Sequence, residues 1–78
     1  MKYITLNKLK ILEIGIIEKI LNKGSPKNRF LSLGFIPGNK VKSVLIDHSG
    51  TLKAYEIKGA IIALRDDDAN KILVKTQN

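Results

Sequence analysis

Residues 25–38, SPKNRFLSLGFIPG, constrain what this chain can fold into more than any other stretch. Ser25 suits the N-cap of a helix, because its side-chain oxygen accepts from an early backbone N–H. Pro26 suits the first helical position, where its missing donor costs nothing. The helix is predicted over residues 26–33, and Gly34 is expected to take the left-handed conformation that closes it, having no Cβ to clash. Pro37 presets the first corner of a turn and Gly38 suits the second, which predicts a type II turn. A helix of about 8 residues is not stable alone in water, so Phe30, Leu31 and Leu33 must pack on something else.

That something else reads as β structure. Residues 14–21, IGIIEKIL, are rich in β-branched side chains. Ile16 and Ile17 are adjacent, so a bulge is expected where two neighbours turn inward. Residues 40–47 and 51–59 form a predicted β-hairpin around the turn at 47–50. Val41, Ser43 and Leu45 lie on one face of its first strand, and Tyr55 and Ile57 on one face of its second. Residues 60–64, AIIAL, and 71–74, KILV, add two short strands. Between them RDDDAN predicts a one-turn helix with Asp66 as its cap. The lead-in, residues 1–13, carries Leu6, Leu9 and Leu12 three apart and reads as loose helix pinning leucines onto the core. The final residues, KTQN, are expected to fray. The fold class is therefore mainly β: a small barrel of about five strands with one short α-helix, in which closure removes exposed edges.

Length and composition bound the rest. The chain has 78 residues, enough for one domain spanning 1–78. A domain this small buries about 60% of its unfolded surface, which leaves little stability for a strained catalytic site. There are no cysteines, which excludes disulfides, thiolate metal sites and cysteine nucleophiles. Lys8, Lys10, Glu13, Glu18 and Lys19 interrupt every apolar run near the start, so neither a signal peptide nor a membrane span is expected. The net charge of +7, from 14 Lys and Arg against 7 Asp and Glu, favours polyanionic or acidic partners, or simply keeps the protein in solution.

Two separated motifs carry a family resemblance. RFLSLGFIPG, followed after the predicted hairpin by ALRDDDANKILV, resembles the FeoA (ferrous iron transport protein A) family. The matching positions are Arg29, Leu33, Gly34, Pro37 and Gly38, then Ala63, Leu64, Arg65, Ala69, Ile72 and Val74. Phe30 stands where leucine is usual. The lead-in reads Leu9-Lys10-Ile11-Leu12-Glu13 where the family has a glycine. The resemblance implies an SH3-like β-barrel that is cytoplasmic and not an enzyme. It would serve bacterial ferrous iron uptake as an accessory to FeoB, the membrane transporter with a cytosolic GTP-binding domain. The same module resembles the C-terminal domain of iron-dependent repressors, but no helix-turn-helix precedes it in this sequence, so the repressor form is not expected.

The residues show no catalytic constellation and no phosphate-binding loop. His48, the single histidine, falls in a predicted turn, and one imidazole without partners holds a metal weakly. The acids Asp66, Asp67 and Asp68 read more simply as a helix start, with Arg65 offsetting their charge. No cofactor and no metal ligands are therefore assigned. The candidate partner-binding residues are Arg29, Phe30, Leu33, Phe35 and Ile36, an apolar ledge with a basic rim that includes Lys27 and Lys40. Gly34, Pro37, Gly38 and Arg65 are structural motif residues. Self-association would use the same ledge. The alternative is a basic barrel associated with nucleic acid. Stacking needs exposed aromatics, and only Tyr3 and Tyr55 are expected outside the helix region, which disfavours it.

Overall fold

A computed structural model describes residues 2–77. Its strands are β1 (Lys2–Thr5), β2 (Ile14–Ile20), β3 (Lys40–Ile46), β4 (Leu52–Ile57), β5 (Ala60–Arg65) and β6 (Ile72–Thr76). A single 3₁₀ turn, Leu6–Lys8, follows β1; helix α1 (Ser25–Ser32) joins β2 to β3, and the one-turn α2 (Asp66–Ala69) joins β5 to β6. The strands form one antiparallel sheet in the order β1-β6-β2-β3-β4-β5. The sheet curls around a core of Ile17, Val41, Tyr55, Ile57, Ile72 and Val74, with Leu6, Leu9, Phe30 and Phe35 packed in from the connections.

The mainly β architecture matches the expectation, but the described residues form six strands rather than about five. The extra one is β1, which lies in the stretch read as loose helix. Its partner is β6, with Lys2 opposite Thr76 and Thr5 opposite Leu73. That pairing also corrects the expected fraying at Lys75 and Thr76; Asn78 lies outside the described residues. β6 lies between β1 and β2, so Lys75 is paired on both sides, while Thr76 is paired with Lys2 of β1 and buried. Nor is the curl closed by hydrogen bonds: β1 and β5 remain as its two edges.

Two bulges bend the sheet as small barrels require. One falls between Ile17 and Lys19, where β2 pairs with β6. The other falls between Ser43 and Leu45 on β3. The second shifts the alternation by one residue, so Leu45 points to solvent instead of sharing the inner face with Val41 and Ser43.

The joint from helix to strand follows its local chemistry closely. Gly34 has φ 107 and Gly38 φ 97, both in the left-handed region. The Gly34 amide donates to the Leu31 carbonyl at 3.0 Å and the Phe35 amide to the Phe30 carbonyl at 3.0 Å, the paired bonds of a Schellman ending. The Asn39 amide then closes the predicted Pro37-Gly38 turn on the Ile36 carbonyl at 3.0 Å. Bonds from Gly38 N to Ile17 O (2.8 Å) and from Ile17 N to Asn39 O (2.9 Å) fasten the turn to β2. The helix start differs from expectation. Gly24, at φ 70, takes the cap position and Ser25 is already helical, with no side-chain cap bond.

Candidate functional site

The five residues expected to form one ledge divide into two sets. Leu33 and Ile36 are 36% and 46% exposed, on either side of Gly34. Phe30 and Phe35 are fully buried and offer a partner no side-chain surface. The cause is the Schellman ending, which brings the two residues joined by its longer bond into apolar contact. Their rings meet edge to face, with centroids 6.5 Å apart and planes at 83°. Arg29 lies outside them, its guanidinium carbon 5.3 Å from the Phe30 ring centroid and its Nη2 3.4 Å from Asp68 Oδ2. Both ends of that ion pair are solvated, so it orients Arg29 more than it stabilises the fold. The exposed ledge is thus Arg29, Leu33 and Ile36, presented by a backbone that Gly34, Pro37 and Gly38 hold rigid.

The acidic run has a structural use. Asp66 is not the helix cap; that position belongs to Arg65, in extended conformation. Asp66 Oδ1 instead accepts from Asn7 Nδ2 at 3.2 Å and from Lys53 Nζ at 3.3 Å. The same ammonium donates to the Asn7 carbonyl at 2.6 Å. This ties the 3₁₀ turn, β4 and α2 together. Arg65 is exposed and lines an open basin with Asp47, Thr51, Leu52, Asp66 and Asp67. Among the described residues no group of three or more His, Cys, Asp or Glu side chains is gathered as a metal site would need. His48 is exposed in the loop between β3 and β4.

Two groups have shifted acidities. Desolvation pushes the Asp47 carboxyl up, but bonds from the Leu52 amide, the Ser49 hydroxyl and the Gly50 and Thr51 amides together outweigh it and hold the pKa below the usual value. Asp47 is therefore the anionic pin of its loop. Burial first, and the charge of Asp66 second, push the Tyr55 phenol well above its ordinary value. Tyr55 is a core residue with its hydroxyl 3.5 Å from the Leu6 carbonyl, not a surface aromatic. Of the two tyrosines only Tyr3, 57% exposed, could stack on a base.

The sequence reading missed a second exposed apolar group: Ile11, Leu12 and Ile14, at 51%, 62% and 52% exposure. A signal was present in the departure from glycine at Leu12, a residue held at φ 70. No helix among the described residues is long and apolar enough to cross a membrane.

Comparison with known proteins places this geometry. The profile of the FeoA domain matches residues 4–76. No curated protein sequence matches the chain. The solution structure of a FeoA-like protein from Clostridium acetobutylicum superposes with a TM-score of 0.89 at 22% identity, covering 100% of this chain and 91% of that one. Stenotrophomonas maltophilia FeoA, a prokaryotic SH3 domain protein crystallised with zinc, gives 0.82 at 22% identity, covering 92% and 89%. A manganese-dependent transcriptional repressor bound to manganese gives 0.87 at 16% identity; 97% of this chain is covered but only 37% of the repressor. At such identities the likeness establishes the fold, which is SH3-like.

Proposed function

The chain belongs to the FeoA domain family, and on that premise we propose that it acts as a non-catalytic accessory of ferrous iron uptake that docks on the cytosolic GTP-binding domain of a FeoB-type transporter. The family itself is one of ferrous iron transport accessories, with an SH3-like fold that is typically non-catalytic. The observation that supports docking at this surface is the pair Leu33 and Ile36, large aliphatic side chains left in solvent on a backbone pinned at Gly34 and Gly38. An apolar centre beside a cation, here Arg29, is a common composition for a protein-binding surface. The protein then works on the cytoplasmic side of the membrane, with ferrous iron as the transporter's cargo.

Titration of the protein into the isolated GTP-binding domain, with and without guanine nucleotide, tests this reading. Binding at micromolar concentration that Leu33→Asp weakens at least tenfold supports it. No binding at tens of micromolar in either nucleotide state would count against it. Should Leu33→Asp instead shift the sedimentation of the protein alone, the ledge is a contact between copies of this chain.

A further inference from the structure

We propose that the turn at residues 10–13, with the outer face of β2 beside it, is a contact surface for an anionic phospholipid bilayer. The surface shares Lys40 with the rim of the helix-turn ledge but uses different aliphatic residues, and the proposal stands whether or not a transporter docks on Leu33 and Ile36.

The turn is built to hold aliphatic side chains outward. Leu12 is exposed at a left-handed φ of 70, a conformation that L-residues other than Asn and Asp seldom adopt. It is kept there by its amide bond to Ser43 O (2.6 Å), by Ser43 N to Glu13 O (3.2 Å) and by Glu13 N to Lys10 O (2.9 Å). A strained backbone that its neighbours over-determine often marks a functional site. Ile11 precedes it and Ile14 follows, all three about half exposed or more. Three exposed aliphatic side chains within four residues on so small and basic a protein call for a partner.

The charge around the group identifies that partner. Leu12 and Ile14 share a depression with Lys40 and Lys75. Across Glu13 a second depression is lined by Lys2, Lys8 and Lys10. Glu13 is the single acid in either lining, and its Oε1 accepts from the Lys10 amide at 2.9 Å. Ile14 and Lys40 also line a third depression in which Lys42 and Lys58 outnumber the one acid, Glu56. Asp47, Asp66 and Asp67 line a different basin. Tyr3, opposite Lys75 in the sheet and exposed, adds an amphipathic ring of the kind that settles at headgroup level. Aliphatic side chains ringed by lysines match an anionic bilayer. The chains enter the acyl boundary, and the long lysine stems carry their ammonium groups to phosphate. Each lysine near such a surface strengthens attraction on the order of fivefold. Nucleic acid would find one exposed aromatic here and no stacking platform.

The test is co-sedimentation of the whole protein with vesicles of phosphatidylcholine containing phosphatidylglycerol, and with phosphatidylcholine alone. The protein is expected to bind the first and not the second. The double variant Ile11→Ser, Leu12→Gly, with its fold checked by circular dichroism, should bind at least about tenfold more weakly, because the apolar area it no longer buries carries that much. Leu12→Trp, the sole tryptophan in that variant, should shift its emission to the blue on the anionic vesicles. Failure to sediment with anionic vesicles overturns the proposal. So does undiminished binding of the double variant, which would show charge attraction without insertion. Unshifted tryptophan emission overturns it too, as does capture of this face by an acidic protein in the absence of any lipid binding.

Discussion

The amide of Leu12 donates to the carbonyl of Ser43 at 2.6 Å, and this bond helps hold an exposed aliphatic residue at φ 70. The left-handed region costs an L-residue about 1–2 kcal/mol, while glycine adds an unfolded-state entropy cost of about 0.5–1 kcal/mol. Leu12→Gly should therefore raise stability by up to about 1 kcal/mol, measured by urea denaturation. A variant less stable than the parent would mean that the Leu12 side chain packs more than its 62% exposure indicates.

Gly15 sits against β6 with little room for a side chain. A Cβ there would lie 3.2 Å from both Cβ and Cγ2 of Val74, a buried residue in the centre of the sheet. Gly15→Ala should cost about 1 kcal/mol, because the Val74 side chain must shift to admit the methyl group. Chemical denaturation checks this, and an unchanged midpoint would refute the close approach.

Ser43 is buried, and its Oγ has no hydrogen-bond partner among the described residues. An unsatisfied buried hydroxyl carries a desolvation cost of about 1–3 kcal/mol. Ser43→Ala should thus be neutral to stabilising, by about 1 kcal/mol, in thermal melts. A clear loss of stability would reveal a bond to ordered water.

The two halves of the helix-turn segment should answer differently to mutation. Phe30→Ala removes a fully buried ring and should cost about 3–5 kcal/mol. Leu33→Asp alters a partly exposed position and should cost about 1 kcal/mol, leaving the far-UV spectrum unchanged. Unfolding of Leu33→Asp would reassign Leu33 to the core.

Tyr55 sets an alkaline limit. Its pKa is raised in the folded protein, so folding favours the protonated phenol. That stabilisation is complete below the ordinary tyrosine value of 10.0 and is lost as pH rises above it toward the folded value. Melting temperature should fall above about pH 10, and should fall less steeply in Tyr55→Phe. Parallel declines in the two proteins would contradict the assignment.

Much of the candidate site was legible because its signals are local. Gly34, Pro37 and Gly38 state the helix stop and the turn through steric rules that act over a few residues, and the structure shows both. The burial of Phe30 and Phe35 was legible in principle as well, since a Schellman ending joins those two positions. The ledge was over-counted because exposure was inferred from the shortness of the helix rather than from that rule. Asp66 was assigned to a cap by the same local reasoning; its partners, Asn7 and Lys53, come from distant segments.

By itself the sequence determined the β-rich class, the stop chemistry of the one longer helix, the hairpin around residues 47–50 and the family, each of which depends on composition or on neighbours within a turn. Only the tertiary structure decided that Lys2–Thr5 is a strand, because its partner β6 lies at the other end of the chain. It alone also decided that a bulge at Val44 turns Leu45 outward, and that residues 10–13 are bonded to β3 with Leu12 in solvent. Strand pairing and register arise from contacts between distant segments, and short-range patterning carries no record of which segments will meet.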